Sequence, residues 1–222
     1  MDSAPRLFPD WQHLAFNHHR DQAQDGVEGM AIRALALLGD TDAAYICGES
    51  FGGTVALTLA HMAPERVRGL VLLSAFGWHP STLARRGARA LAAWSFLGGR
   101  VHTSLYRAGR LASLPTQLGM RASPDLLRSY ISRPRADVAA YRAKAELALT
   151  FDARPWLATV KQPAFILTGT WDPVVPTSAG VDLARRLPNA TLRTLPGGHL
   201  VHLVHADRVG ALIGDWARSL RN

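Results

Sequence analysis

A single cysteine, Cys47, stands among 222 residues, so no internal disulfide framework and no cysteine-built zinc site is available. No apolar run approaches the ~18 residues that cross a bilayer. The N-terminal stretch MDSAPRLFPDW carries an acid at position 2 and lacks the apolar core of a secretion signal. Internal repeats and low-complexity linkers are missing too, so nothing divides the chain into an array or into tethered parts. These absences lead us to expect a cytoplasmic protein with no stable membrane insertion.

What is present is enough for one core. With 48% hydrophobic and 19% charged residues, a chain of this length buries one sizeable interior, whereas two independent domains would be cramped. The net charge of +8 is unevenly spread: five basic residues oppose nine acidic ones in 1–76, thirteen oppose four in 77–154, and seven oppose four in 155–222. The arginines of the middle segment have two readings. They suit an anionic partner such as an acyl carrier protein, coenzyme A or an acidic lipid surface, or they form an ordinary solvated helical face. No nucleic-acid reader motif accompanies them, and nucleic acid is not expected as a partner.

Short apolar runs alternate with helical patterns at both ends of the chain. HLAFN (13–17), AAYIC (43–47), VRGLVLLS (67–74), PAFILTG (163–169) and TLRTL (191–195) read as strands. Residues 29–39, 52–63, 178–187 and 200–220 carry apolar positions at helical spacing. Strand followed by helix, repeated, predicts a mostly parallel α/β sheet covered on both faces. Between Trp78 and Phe151 no strand is evident, and Ala/Leu/Arg stretches are punctuated by Gly98, Gly99, Pro115, Pro124 and Pro134. We expect a core built from 1–76 and 152–222, with 77–151 inserted as a helical lid. Its Trp78, Trp94, Phe96 and Tyr106 either shape an apolar pocket or pack onto the core.

Gly48-Glu49-Ser50-Phe51-Gly52 fits G-x-S-x-G, with Gly53 following. A serine held above a sheet on a sharp strand-to-helix turn needs a strained backbone, and flanking glycines let strand and helix approach. The stretch lacks the Gly-Lys-Ser/Thr of a phosphate loop and does not fit G-x-G-x-x-G. The plain alternative is a small residue where strand meets helix. A serine hydroxyl attacks only with a base in reach and a third group to orient that base. Asp172, on the proline-stiffened loop TWDPVVP after the fourth run, and His199, on the glycine turn PGGH after the fifth, follow in the order serine, acid, histidine. Singly, Asp172 could cap a helix and His199 could be a surface residue. Together, on loops after parallel strands, they are expected to converge with Ser50 at the carboxyl ends of the strands. His202 and His205 follow His199 at intervals of three, which turns each by about 300° along a helix. With no carboxylate among them, helix packing fits better than a metal. His18 and His19 either border the pocket or fill structure.

GESFGG, RVRGLVLLSAF, the Arg/Leu-rich middle segment, LTGTWDPVVP and LPGGHLVHL together resemble the α/β-hydrolase superfamily. The similarity points to bacterial esterase-like members related to the pimeloyl-[acyl-carrier-protein] methyl ester esterases, and covers nearly all of 5–220. The resemblance implies Ser50 as nucleophile, Asp172 as acid, His199 as base and the Phe51 amide as one oxyanion-hole donor. It implies a small-molecule acyl ester as substrate, no cofactor and no metal, and it allows an anionic acyl carrier to meet the basic lid. One departure stands out. Members of the family place a central strand before the point where this chain starts, ending in a turn that gives the second oxyanion donor. Here RLFPDWQ looks like the helix after that turn, which leads us to expect missing N-terminal strands, a shortened start and impaired activity. The expected function is hydrolysis of a carboxylic ester or thioester. Acyl transfer, carbon–carbon bond hydrolysis and a non-catalytic binding module are the alternatives.

Overall fold

In the computed structural model the described residues are Leu14, Phe16, 25–80 and 138–220. The expected strand at 13–17 apart from Leu14 and Phe16, the helix before it, the missing N-terminal strands, His18, His19, and the lid residues Trp94, Phe96 and Tyr106 lie outside them.

Among the described residues four strands form one sheet in the order β1-β2-β3-β4: Ala44–Glu49, Val67–Leu73, Ala164–Gly169 and Ala190–Leu195. All neighbours are parallel, with Ile46 opposite Leu70, Leu72 opposite Ile166 and Ile166 opposite Leu192. Parallel neighbours require crossovers: α2 (Phe51–Met62) joins β1 to β2, α3 (Val138–Thr150) lies between β2 and β3, and α4 (Thr177–Arg186) joins β3 to β4. Helix α1 (Gly26–Ala36) precedes β1, while α5 (Val201–Val204) and α6 (Ala206–Ser219) follow β4.

The two-residue period of a strand sorts the apolar residues between two layers. On one face Leu70, Leu72, Ala164 and Ile166 pack with Met30 of α1, Val55 and Leu59 of α2 and Leu183 of α4. On the other, Val71, Leu73, Phe165 and Leu167 meet Val201 of α5 and Val209, Ile213 and Trp216 of α6. The buried positions of α6, Val209, Gly210, Ile213, Trp216 and Ala217, recur at helical spacing and form the stripe that covers this face. Because both faces are covered, β2 and β3 are continuous hydrophobic runs, VRGLVLL and AFILTG.

The structure departs from the expected helix over 200–220 by breaking it at His205 (φ −114°, ψ 38°) between α5 and α6. There the His205 Nε2–H donates to the carbonyl of Pro196 at 2.9 Å, which ties the break to the loop before His199. The two ends of the 77–151 segment lie side by side: Trp78 bridges Asp152 in antiparallel fashion, and the Ala153 amide donates to the Gly77 carbonyl at 2.8 Å. The Arg154 guanidinium sits 4.3 Å from the Trp78 ring centroid and pairs with Asp152 at 2.6 Å. That hydrogen bond, ahead of other charges nearby, holds the Asp152 carboxyl below its usual range. Of the 77–151 segment, 81–137 lies outside the described residues. No helix among the described residues is long and apolar enough to cross a membrane.

Candidate active site

β1 ends at Glu49 and α2 begins at Phe51, so the whole turn between strand and helix is Ser50. A reversal this sharp is reached at φ 52°, ψ −120°, outside the regions that L-residues favour. Neighbouring bonds hold it there: the Ser50 amide donates to the Leu73 carbonyl at 2.9 Å, and the Gly53 amide to the Ser50 carbonyl at 3.0 Å. Gly48 is required by close approach, because a Cβ there would lie 2.5 Å from the Gly52 carbonyl oxygen. Gly52 itself differs from expectation: a Cβ on it would meet nothing among the described residues within 4 Å. The strand-to-helix packing therefore rests on Gly48 and not on both glycines of the motif.

Asp172 follows β3 and its side chain is fully buried. A buried carboxylate is tolerated only when its lone pairs are taken. Here Oδ1 accepts the amides of Val174 at 2.8 Å and Val175 at 2.9 Å, and Oδ2 accepts the Nδ1–H of His199 at 2.7 Å. The loop is held by a third polar link, the His79 Nε2–H donating to the Val174 carbonyl at 2.9 Å.

His199 follows β4 on the Pro196–Gly198 turn, which folds against the end of β3. A Cβ on Gly169 would overlap the carbonyl oxygens of Gly197 and Gly198, so glycine is needed there for the two loops to touch. An ionised carboxylate only accepts hydrogen bonds, which places the imidazole proton on Nδ1 and leaves Nε2 as an acceptor. Nε2 lies 2.9 Å from Ser50 Oγ, in position to accept the hydroxyl proton. The three side chains singled out by their order in the sequence thus stand in one hydrogen-bonded line. Phe51 is the first residue of α2, where backbone amides have no intrahelical acceptor and the helix end favours negative charge.

Three further polar residues adjoin this line, and no local motif marked them. Ser74, after β2, donates its hydroxyl to the backbone carbonyl of His199 at 2.8 Å. His79 braces the Asp172 loop. His202, buried on α5, faces the Glu49 carboxylate with 3.5 Å between Nε2 and Oε2. His202 and His205 thus face separate partners, and no cluster of three metal-ligating residues occurs among the described residues.

Beside the free side of Ser50 runs a cavity of about 450 Å³. Its walls are mostly apolar, including Leu14, Phe16, Ile46, Val55 and Leu59, with Lys144 from α3 also lining it. Burial pushes the Lys144 ammonium below its usual range.

The profile of the family described as alpha/beta hydrolase fold matches residues 21–206. The chain is 36% identical over 180 residues to the magnesium-chelatase 30 kDa subunit of Rhodobacter capsulatus, covering 78% of this chain and 62% of that protein. It is 33% identical over 187 residues to the pimeloyl-[acyl-carrier protein] methyl ester esterase of Aromatoleum aromaticum, covering 80% and 75% respectively. It therefore spans only about three fifths of the first relative's length. Among solved structures, the enol-lactonase of Burkholderia xenovorans superposes with a TM-score of 0.72 at 21% identity, over 87% of this chain and 73% of that one, a likeness of fold alone. With a parallel sheet covered on both faces and a match spanning most of its length, the chain belongs to the alpha/beta hydrolase fold family.

Proposed function

We propose that this protein is a serine hydrolase acting on a carboxylic ester or thioester. His199 Nε2 takes the Ser50 hydroxyl proton as Oγ attacks the acyl carbonyl, and Asp172 stabilises the imidazolium that forms. The carbonyl oxygen becomes an oxyanion toward which the Phe51 amide donates. Donors of this kind contribute about 10²- to 10³-fold in turnover. Collapse of the intermediate breaks the bond to the leaving alcohol or thiol, which departs with the proton from His199. Water, deprotonated by the same imidazole, then attacks the acyl-serine, and the acid is released with Ser50 restored.

The observation that carries this reading is the 2.9 Å contact between His199 Nε2 and Ser50 Oγ, on an imidazole whose other nitrogen is committed to Asp172. The substrate we favour is an acyl ester whose chain lies in the apolar cavity beside Ser50, with the basic 77–151 segment as its cover. An anionic acyl carrier is the partner that segment suits, in keeping with the esterase relative.

A second reading has one observation in its favour: the Rhodobacter relative is named as a subunit of a chelatase, which fits a binding module that keeps the fold without the chemistry. Fluorophosphonate labelling separates the two. We expect a label on the wild type that is lost in Ser50→Ala. A folded wild type that takes no label would favour the binding module. A p-nitrophenyl ester chain-length series then reports the acyl preference.

A further inference from the structure

Two non-glycine residues among those described have positive φ, Ser50 and Ser74. The first belongs to the nucleophile turn; the second has no part in the reaction as written above. We infer that Ser74 is a positioning residue for His199, its strained backbone aiming a buried hydroxyl at the carbonyl of the residue whose ring meets Ser50. The inference rests on the reading of His199 as the base.

Ser74 follows the last residue of β2 and turns the chain out of the sheet at φ 46°. Its amide continues the ladder to β3, donating to the Leu167 carbonyl at 2.7 Å. Positive φ suits Gly, Asn or Asp, since other L-residues crowd their own Cβ there, and strain of this sort persists only where surroundings hold it. With 1% of its surface exposed, the Ser74 hydroxyl cannot be satisfied by bulk water and needs a protein acceptor. The acceptor is the carbonyl of His199, 2.8 Å away and 125 residues along the chain. That carbonyl shares its Cα with the imidazole, so fixing it fixes the distances from Nδ1 to Asp172 and from Nε2 to Ser50. A misplacement of about 1 Å at such a centre can cost about 10²-fold in rate.

Two substitutions separate positioning from mere structure. Ser74→Gly relieves the backbone strain and removes the hydroxyl; Ser74→Ala keeps the strain and removes the hydroxyl. Both should lower kcat for a p-nitrophenyl ester by roughly 10- to 100-fold with KM within about twofold, while the melting temperature of Ser74→Gly stays at or above that of Ser74→Ala. In proton NMR, the downfield Nδ1–H resonance of His199, identified by its loss in His199→Ala, should shift or broaden in both. Wild-type kcat and an unmoved resonance in Ser74→Gly would overturn the inference, as would a loss of kcat confined to the less stable variant. Absence of a Ser50-dependent fluorophosphonate label on the wild type would instead overturn the reading of the base; the Nδ1–H resonance, which needs no turnover, still decides the role of Ser74.

Discussion

Asp172 and Ser50 stand at the same rim of the sheet, two strands apart, in opposite surroundings. All six residues of β3, which leads to Asp172, are buried, and the carboxylate is held by two amides and an imidazole. Of the six residues of β1, which leads to Ser50, only Gly48 is buried, and the strand borders the cavity. A group that stabilises charge gains from a closed, preorganised setting, whereas a group that must touch a substrate has to be reached. The proposed acid and base therefore sit in the rigid half of the molecule, and the proposed nucleophile in the accessible half.

The sharpest way to break that contrast is at the acid. Asp172→Asn leaves an oxygen for the amides of Val174 and Val175, but its amide group turned toward Nδ1 favours the wrong imidazole tautomer. We expect kcat for ester hydrolysis to fall by about 10³- to 10⁴-fold, with the melting temperature only slightly changed. Activity within tenfold of the wild type would remove Asp172 from the mechanism.

Paired truncations test the same contrast through stability. Leu167, on β3, is fully buried, and Leu167→Ala should cost about 3–4 kcal/mol because the cavity it leaves cannot collapse. Ile46, half-buried on β1 beside space that already exists, should cost only about 1 kcal/mol as Ile46→Ala. Urea denaturation measures both, and equal losses would show the two strands to be equally well packed. Between these lies His79→Phe, which keeps the edge contact with Phe76, whose centroid is 5.2 Å away, but strips the Val174 carbonyl of its donor. We expect it to cost about 1–2 kcal/mol and to lower kcat by roughly threefold through a looser acid loop.

The strands and helices of the core were legible because burial on two faces imposes an apolar run, and burial on one imposes a 3.6-residue stripe. β2 and β3 are such runs, and α4 and α6 carry such stripes; β1 and β4, less buried, were legible as short β-rich stretches between helical patterns. The helix break at His205 was not legible, since it depends on a carbonyl nine residues back that no periodicity encodes. At the site, Ser50, Asp172 and His199 were marked by local chemistry: glycines around a serine, prolines around an aspartate, a glycine turn before a histidine. Ser74, His79 and His202 carried no such mark. Ser74 reads as the last residue of a strand, and its importance lies in a contact 125 residues distant. Sequence shows where a backbone must bend and does not show what a buried hydroxyl will find across the fold.

The smallest effect expected, and the finest probe of the open half, is at Cys47. Cys47 as a residue is exposed and lines the cavity, while its thiol group is buried, where a thiolate is poorly hydrated. That burial, followed by the charge of Glu49, pushes the thiol from its ordinary 9.0 up to about 12. At pH 8 the thiolate is therefore scarcer than in a free cysteine, while each thiolate is more nucleophilic, and the two effects partly cancel. Exchange with a small neutral aromatic disulfide should run roughly 50-fold slower than for a free cysteine. Because the folded value lies above the unfolded one, Cys47 adds no pH dependence to stability below about pH 8. Its contribution is then lost as pH rises from 9 toward 12, and a denaturation series with Cys47→Ala as control isolates that loss. Cys47→Ala should leave ester hydrolysis at neutral pH within about twofold, since a neutral thiol takes no part in the proposed chemistry. Exchange as fast as in a free cysteine would mean that water reaches β1 well enough to solvate a charge, and the cavity beside Ser50 would then suit a polar substrate better than an acyl chain.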